Sequence, residues 1–161
     1  MEQGRILVAE QQGAFVLKLV GDVRLTFCTA LDEFLKHMFS APDFASVVVD
    51  VSEAENIDST TLGQLAKLAV CAQRRFGLTP ALVSTNPDIS HMLDTMGFER
   101  VFDVRHEQPV SDEQLAELPI VPGSEAAVRE RVLEAHRTLM GLSAENQAQF
   151  SELVSALEGY R

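Results

Sequence analysis

Cysteine is scarce in this chain of 161 residues, which contains only Cys28 and Cys71. Each lies within a helical pattern, and neither has a histidine or a second cysteine at the spacing of metal ligands. We therefore interpret both as small side chains packed within helices. The sequence predicts no metal site and no bound cofactor.

Basic residues are also few. The 13 lysines and arginines stand against 24 aspartates and glutamates, which gives a net charge of −11. A protein that holds nucleic acid by its phosphate backbone needs an excess of positive charge on at least one face. The composition therefore argues against nucleic acid as a direct ligand.

Long apolar runs are absent from the sequence. Runs such as Val47-Val48-Val49 are far shorter than the roughly 20 residues that span a bilayer. The first residues, MEQGRILVAE, lack the charged-then-apolar layout of a signal peptide. We expect a cytoplasmic protein that does not contact the membrane.

The apolar pattern of residues 1 to 106 predicts an α/β domain with the element order β-β-α-β-α-β-α-β. Alternation of strands and helices implies a sheet whose central part is largely parallel. The run SVVVDV is apolar enough to form the central strand, buried on both faces. The predicted elements are, in order, Ile6 to Ala9, Phe15 to Val20, a helix spanning Phe27 to Met38, Ser46 to Val51, a helix spanning Leu62 to Phe76, Pro80 to Ser84, Ile89 to Met96, and Val101 to Val104.

Residues 107 to 161 differ in charge and in apolar pattern from the preceding residues, and are predicted to form an acidic C-terminal helical extension. They carry 4 basic and 10 acidic residues, against 9 and 14 in residues 1 to 106. The pattern Ser111-x-x-Gln114 is typical of a capping box at the start of a short helix. No strand is expected beyond Val104.

The end of this extension is predicted to be an αα-hairpin. Ser124 and Ser143 each stand where a side chain caps the start of an amphipathic helix. The apolar stripes of the two helices must be buried on something. They either simply dock on the core, or they serve a function by covering a helix face of the core or supplying a second protein-binding surface.

A cluster of hydroxyl side chains, Ser59, Thr60 and Thr61, follows Asp58 at the junction of the buried strand and the next helix. One side chain there is needed to cap the helix, and the others either form local hydrogen bonds or serve another purpose. A hydroxyl at a helix N-terminus is well placed to carry a phosphate, because free N–H groups and the helix dipole favour negative charge. A phosphate on this surface would act as a binding switch.

These residues carry a resemblance to a known family. The string Ile57-Asp58-Ser59-Thr60-x-Leu62-Gly63 resembles the D-S-[ST]-G-L-G signature of STAS domains, the family of anti-sigma factor antagonists. Residues 21 to 23, GDV, resemble the family's first-loop element, and residues 94 to 102 resemble its late segment. The resemblance spans residues 6 to 104. It implies a STAS-like α/β sandwich with a mixed sheet, followed here by the helical extension.

The resemblance also implies a function, which is to regulate transcription by partner switching. The unmodified protein would bind an anti-sigma factor serine kinase, and phosphorylation of Ser59 would release it, with Thr60 as a secondary acceptor. A metal-dependent Ser/Thr phosphatase would reset the cycle, and a sigma factor would be freed or captured in turn.

The partner-binding residues that the resemblance implies surround this acceptor. Thr61 stands where the family usually has glycine, and its β-branched side chain would narrow the choice of kinase. Arg24 stands where the family commonly has aspartate. The implied partner-binding residues are Asp22, Arg24, Asp58, Ser59, Thr60, Thr61 and Gln64.

Two other classes of function compete with this one. An enzyme is not expected, because the sequence has no G-x-S-x-G, H-E-x-x-H, Walker or G-x-G-x-x-G motif. The four histidines, His37, His91, His106 and His136, lie on separate elements, and no sequence signal places one beside Ser59. The other alternative is a STAS scaffold or small-ligand module whose C-terminal helices mediate assembly or bind a sigma factor directly.

Overall fold

The computed structural model describes residues 2–107 and 114–159. Ser111 of the predicted capping box lies outside these ranges, and Gln114 at its other end has a φ of 70° and is followed by a strand, so the described residues do not form the predicted helix. None of the helices within them is long and apolar enough to cross a membrane. The strands are β1 (Arg5–Gln11), β2 (Ala14–Val23), β3 (Ser46–Ile57), β4 (Ala81–Val83), β5 (Asp103–Arg105) and β6 (Ala116–Glu117). The α-helices are α1 (Cys28–Ser40), α2 (Ser59–Phe76), α3 (Pro87–Thr95), α4 (Glu125–Met140) and α5 (Ala144–Gly159).

The strands form one mixed sheet in the order β5-β4-β3-β2-β1-β6. β1 and β2 pair as an antiparallel hairpin, whereas β2, β3, β4 and β5 run parallel to one another. β3 lies inside the sheet, and Val47, Val49 and Val51 are buried. The predicted α/β class, element order and central strand are therefore confirmed.

The register of β2 and β3 brings the two loops of the site together. Val23 is paired with Ile57, so the carboxyl ends of these parallel strands lie side by side at one edge of the sheet. The N–H of Asp58 donates to the carbonyl of Val23 at 3.1 Å, which extends the pairing beyond the strands. The start of α2 consequently lies beside the loop that leaves β2.

Helices α4 and α5 pack against each other and together are called the C-terminal hairpin below. Ser124 and Ser143 accept hydrogen bonds from N–H groups in the first turns of the two helices, which confirms both predicted caps. α4 also packs against α2 and α1, so the hairpin docks on the sheet-and-helix core. Three apolar side chains from this region, Leu139, Leu142 and Phe150, join the main hydrophobic core.

The expectation that no strand follows Val104 is wrong. Ala116 and Glu117 form β6, which pairs antiparallel with β1 at the edge of the sheet. The N–H of Leu118 continues this contact by donating to the carbonyl of Ile6 at 2.7 Å. A strand of two residues has no alternation to detect, and it forms here because the edge of β1 offers unpaired backbone groups.

Candidate functional site

Asp58 is the residue that caps α2. Its backbone is extended, and its Oδ1 accepts a hydrogen bond from the N–H of Thr61 at 2.9 Å. Its Oδ2 accepts a second bond from the N–H of Leu25 at 2.7 Å. One carboxylate therefore starts the helix and also ties it to the loop after β2. The hydroxyl groups that follow Asp58 are not needed as caps.

Replacing Asp58 by alanine should lower the free energy of unfolding by about 2 kcal/mol, because two N–H groups lose their acceptor. Asp58→Asn should lose roughly half as much, since an amide has a single oxygen. Ser124→Ala, which removes a cap with one hydrogen bond, is the matched control and should cost about 1 kcal/mol. Urea denaturation measures all three. If Asp58→Ala costs no more than Ser124→Ala, the bond to Leu25 contributes nothing.

A charged pair borders the site at the end of β2. Asp22 accepts hydrogen bonds from the side-chain amide of Asn56 at 3.0 Å and from Nε of Arg24 at 2.8 Å. The bond from Asn56 lowers the pKa of the Asp22 carboxyl below its ordinary value; partial burial opposes this, and Arg24 adds to the lowering. Asp22 is therefore ionised at neutral pH, and Arg24 presents its guanidinium on the exposed side of the loop.

Ser59 is the first residue of α2, and its hydroxyl contacts the C-terminal hairpin. Oγ lies 2.8 Å from Nε2 of His136 on α4. The other ring nitrogen, Nδ1, lies 2.7 Å from the carbonyl oxygen of Val132. A carbonyl only accepts, so Nδ1 carries a proton and donates to Val132, while Nε2 is hydrogen-bonded to the Ser59 hydroxyl, which can either donate or accept. Ser59 is half-buried, whereas His136 is 2% exposed.

No motif in the sequence placed a histidine beside Ser59; the structure buries His136, in keeping with a packing residue, and brings its ring to the Ser59 hydroxyl. The two residues are 77 positions apart and meet because the C-terminal hairpin folds back over α2. A usable signal was nevertheless present. His136 follows Val132 by four positions and adjoins Ala135, both on the apolar stripe of the predicted helix. That spacing places its ring toward the covered face.

The remaining hydroxyl and amide side chains of the motif are buried. Thr60, Thr61 and Gln64 are between 1% and 4% exposed. Nε2 of Gln64 donates to the carbonyl of Cys28 at 2.8 Å, which links α2 to the start of α1. Oγ1 of Thr61 and Oε1 of Gln64 have no hydrogen-bond partner within residues 2–107 and 114–159. In this arrangement Ser59 is the hydroxyl of the cluster nearest to the surface.

The face of α2 next to Ser59 is covered by α4 at very short range. A Cβ atom added at Gly63 would lie 2.3 Å from the carbonyl oxygen of Ala135, so only glycine fits there. One turn further along, Nζ of Lys67 lies 2.8 Å from a carboxylate oxygen of Glu134. The packing of α4 against α2 is thus fixed by a close backbone approach and an ion pair.

The two cysteines lie in helices α1 and α2, as predicted. Burial raises the pKa of the Cys28 thiol, so it stays protonated and unreactive at neutral pH. Among the residues that the structure describes, no group of three or more His, Cys, Asp or Glu side chains is placed to hold a metal ion.

Comparison with known proteins agrees with this geometry. A family model described as "Mlab, STAS domain" matches residues 6–105. The matched segment runs from the second residue of β1 to the end of β5, contains the whole of the Asp58 to Gly63 motif, and ends before the C-terminal hairpin. No curated protein matches the chain. The match covers more than half of the sequence, and the chain therefore belongs to the STAS domain family.

Proposed function

We propose that the protein is a non-enzymatic anti-sigma factor antagonist that works by partner switching. In its unphosphorylated form it binds an anti-sigma factor serine kinase through the N-terminus of α2 and the loop after β2. Phosphorylation of Ser59 releases it. The observation that carries this proposal is the position of Ser59, the first residue of a helix that Asp58 already caps. Its hydroxyl is therefore not required to hold the helix start.

The electrostatics at the start of α2 favour a phosphate on Ser59, whereas a docked partner does not tolerate one. Free N–H groups and the positive end of the helix dipole stabilise negative charge at this point. The phosphate nevertheless adds nearly two negative charges beside Asp58 and the ionised Asp22. Like charges at a desolvated contact cost several kcal/mol, and each ~1.4 kcal/mol lowers affinity tenfold. One phosphate is thus sufficient to release the partner.

Burial favours Ser59 over Thr60 as the acceptor. Thr60 is 3% exposed, so its hydroxyl reaches a kinase only if the first turn of α2 unwinds. We therefore assign Ser59 as the main acceptor and keep Thr60 as the secondary one. A metal-dependent Ser/Thr phosphatase would restore the hydroxyl, and the sigma factor would follow the free or occupied state of its anti-sigma kinase in the cytoplasm.

Incubation of the full chain with a candidate anti-sigma kinase and ATP tests this proposal. Transfer of the γ-phosphoryl group should yield ADP and one phosphate on Ser59, detected by intact mass and peptide mapping. Ser59→Ala should abolish the label, whereas Thr60→Val, a change of nearly equal size, should retain it. A label found only at other residues would refute the proposal. A direct sigma-factor interaction through the C-terminal hairpin would instead appear as capture of sigma factor unaffected by Ser59→Ala.

A further inference from the structure

We infer that the C-terminal hairpin is a built-in competitor of the kinase, which must displace α4 from α2 before Ser59 can be phosphorylated. This inference rests on the proposed function. It assigns to the acidic extension a regulatory role, namely to cover the surface that the partner needs. Three sets of contacts carry it: those of Ser59, those of the neighbouring turns of α2, and those of Asp32 on α1.

The contact between Ser59 and His136 leaves no room for the transferred group. Nε2 of His136 lies 2.8 Å from Oγ and occupies the space in which a phosphoryl group on Oγ would stand. The ring cannot turn aside freely, since Nδ1 is bonded to the carbonyl of Val132 and the ring packs edge-on against Phe150, with centroids 5.1 Å apart. Docking of α4 and phosphorylation of Ser59 are therefore mutually exclusive.

The same helix covers the turns of α2 that follow Ser59. Gly63 meets the backbone of Ala135, and Lys67 is paired with Glu134. A protein that approaches Ser59 along this face of α2 meets the backbone of α4 first. The kinase and α4 consequently compete for one surface, and each must weaken the binding of the other by the same factor.

The polar contacts of this interface allow α4 to leave without stranding a charge in the core. Asp32 on α1 is 6% exposed and pairs with Arg131 of α4 at 2.8 Å. It also pairs with Lys36 at 3.1 Å and with Lys67 at 3.7 Å, and both of these cations belong to the core. When Arg131 departs, Asp32 keeps its neutralising partners. The charge of Asp32 therefore stays neutralised in the open state, in which α4 has left α2.

Apolar contacts keep the closed state populated when no partner is present. Leu139, Leu142 and Phe150 are buried in the main core cluster, so opening exposes them to water. A partner must therefore offer an apolar surface of its own to replace them. The apparent affinity of the kinase is its intrinsic affinity reduced by the fraction of open molecules.

Ala135→Leu in the full chain tests the inference, because it enlarges α4 at its closest approach to α2 and leaves the core surface unchanged. Ala126→Leu, at an exposed position of the same helix, is the matched control. Docking is read from the yield of a zero-length carbodiimide cross-link between Lys67 and Glu134, quantified by peptide mass. The probe is the kinase of the preceding experiment at limiting concentration with ATP. Ala135→Leu should lose the cross-link and raise the initial rate of Ser59 phosphorylation by about tenfold or more, whereas Ala126→Leu should change neither.

A second variant covers the case in which the protein accommodates the larger side chain of Ala135→Leu and α4 stays docked. Arg131→Glu combined with Glu134→Lys keeps the net charge but places like charges against Asp32 and Lys67, and hydrogen exchange of the first turns of α2 then reports docking. Equal phosphorylation rates in open and closed proteins would overturn the inference and leave the proposed function intact. An open protein that receives no phosphate on Ser59 would refute the proposed function itself. If α4 stays docked in both variants, the hairpin is not displaceable and the inference is wrong.

Discussion

Aspartate in place of Ser59 should weaken binding of the anti-sigma kinase by about a hundredfold relative to alanine at the same position. The carboxylate supplies part of the charge of a phosphate beside Asp58 and Asp22. Ser59→Ala should bind constitutively and more tightly than the unmodified protein. It removes the hydroxyl that is hydrogen-bonded to Nε2 of His136, which leaves a buried ring nitrogen unpaired and loosens the docking of α4. Titration calorimetry at fixed salt measures the three affinities.

Ser59→Asn separates charge from size in this comparison, since it has nearly the shape of aspartate without the charge. It should bind the kinase much more tightly than Ser59→Asp. Raising the ionic strength should narrow the gap between the two variants, because salt screens the repulsion. Equal affinities of the alanine and aspartate variants would contradict the phosphorylation switch.

Gly63→Ala should destabilise the protein by about 1 to 3 kcal/mol, although the same change inside a free helix stabilises by about 1 kcal/mol. The sign reverses because the new Cβ would lie 2.3 Å from the carbonyl oxygen and 2.6 Å from the Cβ of Ala135. The strain should be relieved by partial displacement of α4. Urea denaturation should show a lower midpoint, and the cross-link between Lys67 and Glu134 should form in lower yield.

Gly159→Ala is the matched control for that result, since nothing lies within 4 Å of a Cβ added there. It should not reduce stability. Adding Ala135→Gly to Gly63→Ala should restore part of the loss, because the Cβ clash disappears and the clash with the backbone oxygen remains. A Gly63→Ala protein as stable as the unmodified one would mean that α4 does not pack on α2 in solution.

Features set by neighbouring residues could be predicted from the sequence. The apolar run of β3 identified the central strand, and Ser124 and Ser143 marked the starts of α4 and α5 correctly. The start of α2 near the hydroxyl cluster was also predictable, because an acceptor side chain such as that of Asp58 favours a helix start, although the predicted helix began at Leu62 and the observed one begins at Ser59. These signals act within one turn or one strand of the chain.

Features set by distant residues could not be predicted in the same way. The bonds of Asp22 to Asn56 and of Ser59 to His136 join positions 34 and 77 residues apart. β6 forms because the edge of β1 is available, which no local pattern encodes. The sequence indicated that the C-terminal helices need a surface, and the fold determined which surface they cover. The contact of Ser59 with His136 follows from that docking.

The pairing of β6 with β1 affects how the C-terminal hairpin competes with the kinase for α2. Because Leu118 remains bonded to Ile6 at the edge of the sheet, a displaced hairpin stays tethered close to its docking site. A short tether of this kind holds a segment at an effective concentration in about the millimolar range, whatever the concentration of the protein. Dilution of the protein therefore does not free Ser59, and the threshold for its modification depends on the kinase and on the closing equilibrium of the hairpin.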